Sequence, residues 1–161
     1  MLDDEYWMRK ALALASQAEQ MSEIPVGALL VLNNEIIGEG FNSPISTCDP
    51  TAHAEIQAIR AACQQMQNYR LPGATLYVTL EPCSMCAGAI VHSRLARVVF
   101  AATEPKSGVA CSQAQFFSAD FLNHQVEVVG GVLAEQAGQQ LSHFFQYRRE
   151  QKKRLKKNRI T

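Results

Sequence analysis

His53 and Glu55 stand two residues apart in "TAHAEI", and Cys83 and Cys86 stand three apart in "EPCSMC". An imidazole nitrogen and two thiolates are donors that zinc prefers, and a catalytic zinc site keeps three protein ligands and leaves the fourth position to water. His53, Cys83 and Cys86 supply three. Cysteines at i and i+3 near a helix start share one face, Pro82 suits a first-turn position, and the positive end of a helix favours the thiolate. Asp49, Pro50 and Thr51 mark another helix start, with Asp49 or Thr51 as cap and His53 in the first turn. Residues two apart do not share a face inside a helix, so His53 and Glu55 can serve one site only near its beginning. Glu55 is then better cast as acid/base than as a ligand. Bound metal lowers the pKa of water to about 7, and a neighbouring carboxylate can take that proton and pass it on. The set suits hydrolytic attack on an aromatic ring carbon bearing an amino group.

The same residues admit plainer uses. A CxxC pair can be redox-active or half of a structural zinc site. A structural site needs a fourth ligand, for which Cys48, Cys63, Cys111 and His92 are the candidates, but none forms a second CxxC or a His-x3-5-His pair.

Alternating helices and strands must carry these residues. Residues 3–21 place Trp7, Ala11, Leu14, Ala18 and Met21 at steps of three and four, the stripe of a helix buried on one side. "VGALLVL", Asn33-Asn34 and "EIIGEGF" read as a β-hairpin, because asparagine tolerates the positive φ of tight hairpin turns. Residues 53–66 read as helix, 74–80 as strand, 83–94 as helix and 96–102 as strand. This βαβ rhythm implies parallel later strands with helices on both faces. The next strand, 125–131, is too far away for a hairpin; "SQAQFFSADFL" is expected to form a crossover helix and to leave that strand parallel to its predecessor. From 133 to 157 the chain is helix-forming, with Leu133, Leu141, Phe144, Phe145 and Tyr147 packing before a basic segment.

At 161 residues and 47% hydrophobic composition, the chain suits one domain over 1–161 with a basic C-terminal helix or tail at about 148–161. No apolar run approaches the roughly 18 residues of a membrane span, and "MLDDEYWMRK" is acidic where a signal peptide would be basic and then apolar, so a cytoplasmic location is expected. The formal net charge of zero hides an asymmetry. Residues 1–147 carry 7 Lys+Arg against 14 Asp+Glu, whereas 148–161 carry 8 against 1. Arg148, Arg149, Lys152, Lys153, Arg154, Lys156, Lys157 and Arg159 would suit a polyanionic partner such as RNA.

His-x-Glu followed by Pro-Cys-x-x-Cys is the compound signature of zinc nucleobase deaminases. The likeness extends to "EIPVGALLV", "GEGFN", "DPTAHAEI", "NYRLPGATLYVTLEPCSMCAGAI" and "HSRLARVVF", which resemble the bacterial tRNA-specific adenosine deaminases from near residue 6 to about 150. The resemblance implies an α/β fold: a three-layer α/β/α, cytidine-deaminase-like arrangement whose five-stranded mixed sheet has an antiparallel first hairpin and parallel later strands. It implies a homodimer and one Zn2+ per subunit, with a bound water or hydroxide, on His53, Cys83 and Cys86. Glu55 would transfer protons, and the reaction would be hydrolysis of the wobble adenosine of an arginine tRNA anticodon to inosine with release of ammonia. Asn42 matches a position that hydrogen-bonds the base. "TEPKSGVACS" departs from the family: Glu104 replaces an aspartate at a substrate-binding position, Lys106 follows as an RNA-backbone contact with Arg148, Arg149, Lys152 and Lys153, and Cys111 replaces a glycine. Cys111 is expected to be a small buried apolar residue. The alternative is a deaminase of free guanine, cytosine or cytidine.

Overall fold

The computed structural model describes residues 1–160. Helix α1 (Asp4–Gln20) starts where the Asp3 carboxylate accepts the Tyr6 N–H at 2.9 Å, and it buries Trp7, Met8, Ala11, Leu14, Ala15 and Ala18. Met21, expected to continue this stripe, is the C-cap and 48% exposed, because the helix has already ended. Strands β1 (Gly27–Leu32) and β2 (Glu35–Phe41) form the hairpin, with Asn33 and Asn34 at φ 52° and 64° in its turn. A short helix α2 (Pro44–Thr47) follows, then α3 (Ala54–Met66), β3 (Thr75–Leu80), α4 (Ser84–His92), β4 (Arg97–Ala102), β5 (Glu127–Gly130) and α5 (Ala134–Asn158).

The sheet order is β2-β1-β3-β4-β5. β1 pairs antiparallel with both β2 and β3, whereas β3–β4 and β4–β5 are parallel. Successive side chains point to opposite faces. Ala28 and Leu30 of β1, Leu76 and Val78 of β3, and Val98 and Phe100 of β4 join the core under α3 and α4. Leu29, Tyr77 and Val99 join Trp7, Met8 and Ala137 in the core under α1 and α5. Helices on both faces explain why the central strands are buried almost throughout, as the βαβ rhythm implied.

The expected crossover helix is absent. Residues 103–126 contain one 3-10 turn, Phe116–Ser118, and otherwise turns. Their backbone donors are spent elsewhere: Cys111 and Ser112 N–H on the Glu81 carboxylate, Val109 N–H on the Pro82 carbonyl and Phe116 N–H on the Val109 carbonyl. Phe117 is buried while Phe121 is 78% exposed, so the apolar residues do not form one helical stripe. The segment still carries the chain from β4 to a parallel β5.

Helix α5 also departs from the reading of its apolar residues. Phe144 is buried, but Phe145 is 40% and Tyr147 58% exposed. The basic residues up to Lys157 continue this same helix.

Candidate active site

Two helix N-termini meet at the C-terminal side of the sheet's middle. His53 is the N-cap of α3, with extended backbone at φ −71° and ψ 155°, so it lies outside the helix while Glu55 occupies the second helical position. Asp49 and Thr51 do not cap that helix: the Asp49 carboxylate accepts the Thr51 N–H at 2.8 Å and hydroxyl at 2.7 Å and closes the preceding turn. Cys83 is likewise the N-cap of α4 and Cys86 the third helical residue. Pro82 therefore precedes the cap and is not a first-turn residue. A cap residue's backbone is still turning, which lets the i, i+2 pair His53 and Glu55 face one pocket.

Glycine lets α3 sit close enough for this. A Cβ on Gly40 of β2 would lie 2.6 Å from the Ala54 carbonyl and 2.6 Å from the Ala58 nitrogen. Any side chain there would push α3 outward and carry His53 and Glu55 with it.

His53 Nδ1 lies 3.6 Å from Cys83 Sγ and 3.5 Å from Cys86 Sγ. A tetrahedral ion with zinc's usual bonds to sulfur and nitrogen requires about 3.6 Å between those donors. All three ligand atoms lie within 4.8 Å of one another, and among the described residues no other His, Cys, Asp or Glu joins them. Cys48, Cys63, Cys111 and His92 all lie outside the cluster, so no fourth protein ligand closes it. Cys111 is exposed, not the buried residue expected of it, because its N–H must reach Glu81 from the protein surface.

The three donors are electrostatically coupled, and Cys83 is the one held as thiolate. The Cys86 thiol donates to Cys83 and, with His53, holds the Cys83 thiol down at about 4, while Cys83, burial and Glu55 push Cys86 up. The Cys83 sulfur in turn raises His53. Burial raises Glu55, which is 4% exposed, so its carboxyl keeps a proton more readily than a surface glutamate does.

Glu55, His53 and Cys83 line a cavity of about 260 Å³. Ile24, Val26, Leu80, Leu141 and Phe145 make its apolar walls, and Asn42, Thr103, Glu104 and Ser107 supply polar edges. Asn42 is 8% exposed; its N–H donates to the Val26 carbonyl at 3.0 Å and its side chain opens into the cavity. Glu104 lies at the cavity edge and accepts the Lys106 N–H at 2.9 Å; Lys106 itself is exposed beside it. Arg149, Lys152 and Lys153 are exposed on α5 beyond the cavity. Arg148 is turned inward instead: Nη2 donates to the Ser22 carbonyl at 3.3 Å and its guanidinium stacks over Phe144 at 5.1 Å. Sequence reasoning missed Glu81, Thr103 and Ser107, which loop folding brings to the cavity, and the wall formed by Leu141 and Phe145. The four-residue spacing of that last pair on α5 was the one signal that could have found it.

Residues 1–102 match the family model of the cytidine and deoxycytidylate deaminase zinc-binding region. Together with the donor set, this match defines a zinc-dependent hydrolytic deaminase. The tRNA-specific adenosine deaminase of Haemophilus influenzae is 58% identical over 93% of this chain and 87% of its own length. The corresponding Bacillus subtilis enzyme is 47% identical over 98% of both. A structure solved in work on A-to-I editing at the wobble position of transfer RNA superimposes with a TM-score of 0.82 at 42% identity, covering 84% of this chain and 99% of that one. The chain belongs to the tRNA-specific adenosine deaminase family.

Proposed function

We propose that the protein converts the wobble adenosine of a tRNA anticodon, that of an arginine tRNA, to inosine with release of ammonia. The observation that carries this reading is the three-donor cluster beside a buried carboxyl at the end of a cavity sized for one base. An ion held by His53, Cys83 and Cys86 would make a water molecule nucleophilic at neutral pH. Glu55 then moves the protons: one from that water to the adjacent purine ring nitrogen, and another to the departing amino group. Asn42 holds the base by its edge. Leu141, Phe145, Ile24 and Val26 exclude water from its faces.

A base inside a duplex cannot reach this depth, whereas one in an anticodon loop is already unstacked. Helix periodicity continues the cavity-facing line of Leu141 and Phe145 along Arg149, Lys152 and Lys156. That line extends about 16 Å beyond Phe145 and suits the phosphates flanking the base. Glu104 meets the ribose edge and Lys106 a phosphate. The protein acts as a homodimer of one-domain subunits in the cytoplasm, a reading supported by the family.

Incubation with an anticodon stem-loop carrying adenosine or cytidine at the wobble position, followed by identification of the product base, tests the proposal. Inosine from the adenosine substrate supports it. Conversion of free guanine or cytidine with the stem-loop left intact overturns it.

A further inference from the structure

Glu81 is 2% exposed, belongs to none of the ion pairs among the described residues, and takes four hydrogen bonds on its carboxylate. Oε1 accepts the Glu104 N–H at 3.0 Å and the Ser112 hydroxyl; Oε2 accepts the N–H groups of Cys111 and Ser112, each at 2.9 Å. Every donor comes from a single loop, 104–112. That loop closes further through Gly108 N–H to the Glu104 carbonyl at 2.9 Å and Val109 N–H to the Pro82 carbonyl at 3.0 Å. Gly108 has no room for a side chain: a Cβ would meet the Glu104 carbonyl at 2.6 Å and Glu81 Oε1 at 2.7 Å.

This buried anion borders the cavity, with its carboxylate oxygens turned to the loop, and stands between two working parts of it. On one side the chain runs from Glu81 through Pro82 to Cys83. On the other, the loop wrapped round the carboxylate presents Glu104 and Ser107 to the cavity. We propose that Glu81 is a positioning residue, which fixes the 104–112 wall against the turn that presents Cys83 and so sets substrate affinity without taking part in the chemistry. A hydrophobic residue at 81 could fill the volume but would leave the N–H groups of Glu104, Cys111 and Ser112 without the acceptor they now share. A cation pair would hold the carboxylate but not the loop. The inference rests on the wall contacting the nucleotide, as proposed above.

Glu81→Gln tests it. However the amide turns, its NH2 group faces at least one backbone N–H that loses its acceptor. The amides of 104–112 should exchange hydrogen about tenfold faster while those of α3 and α4 do not change, since a charge-assisted bond has been lost locally. The zinc content should stay at one ion per chain. On the anticodon stem-loop, KM should rise about tenfold with kcat held within about threefold, the pattern of lost uniform binding. Gly108→Ala should reproduce both effects from the loop side. Unchanged exchange in 104–112, or a fall in kcat at constant KM, would overturn the inference. If Glu81→Gln fails to fold, Ser112→Ala removes one donor only, and a KM rise of about threefold supports the inference while an unchanged KM overturns it. If the wild-type protein leaves the stem-loop unchanged, the functional reading falls and the exchange measurement still decides the role of Glu81.

Discussion

Glu55 is a helical residue buried to 4% exposure, and burial favours its protonated form. Glu55→Gln preserves its volume and removes only its ability to exchange a proton. The variant should keep its zinc by atomic absorption and lose at least about 10² in kcat for inosine formation, the lower range for general acid/base catalysis. His53→Ala or Cys83→Ala should lose both the metal and the activity, because two donors do not hold a catalytic ion. Asn42 predicts a different kinetic pattern. If its side chain holds the base edge as proposed, it does so in ground and transition states alike, and Asn42→Ala should raise KM more than it lowers kcat in steady-state assays on the stem-loop. The identities of these residues were legible in the sequence because the chemistry allows few substitutes for them. Glu81 was not, because a glutamate before Pro-Cys has no visible partner until the 104–112 loop folds back onto it.

At the scale of elements, the N-terminal helix is tied to the sheet by one polar cluster. Asp4 accepts two bonds from Arg97, at 2.7 Å and 2.6 Å, and the Tyr77 hydroxyl at 2.7 Å. The Arg97 bonds hold the Asp4 carboxyl below its ordinary value of 3.8. A depressed folded pKa means that the unfolded chain binds the proton more readily. The stabilisation is therefore complete above pH 3.8 and fades as pH falls through the folded value. Asp4→Asn should cost about 1–2 kcal/mol at pH 7 in urea unfolding, with the difference from wild type shrinking below pH 3.8. Most elements were readable from periodicity, since α1 and the hairpin satisfy their hydrogen bonds locally and β3, α4 and β4 carry their own apolar patterns. The 103–126 segment was misread for the opposite reason: its donors go to Glu81 and Pro82, partners more than twenty residues away in sequence.

For the whole molecule, charge is divided between an acidic body and a basic helix end. Association through the helix should release counterions, so affinity for the stem-loop should fall steeply with salt. Removing residues 148–161 should raise KM and flatten that dependence, with a slope change of roughly 0.7–0.9 for each phosphate that the helix no longer neutralises, read in a binding titration at varied salt. Arg148→Ala should differ from Arg149→Ala. Arg148 is bound to the Ser22 carbonyl and Phe144, so its removal should lower stability, whereas removal of the Arg149 side chain should weaken RNA binding alone. The sequence by itself determined the metal's donors, the carboxyl beside them, the hairpin and the parallel later strands, because ligand preference and backbone periodicity are local properties of residue types. Only the tertiary structure decided that His53 and Cys83 are caps, that Phe145 walls the cavity from the far end of the chain, and that Glu81 holds the loop opposite. Those outcomes depend on which buried donors and apolar faces find one another across the sheet, and no local pattern encodes that pairing.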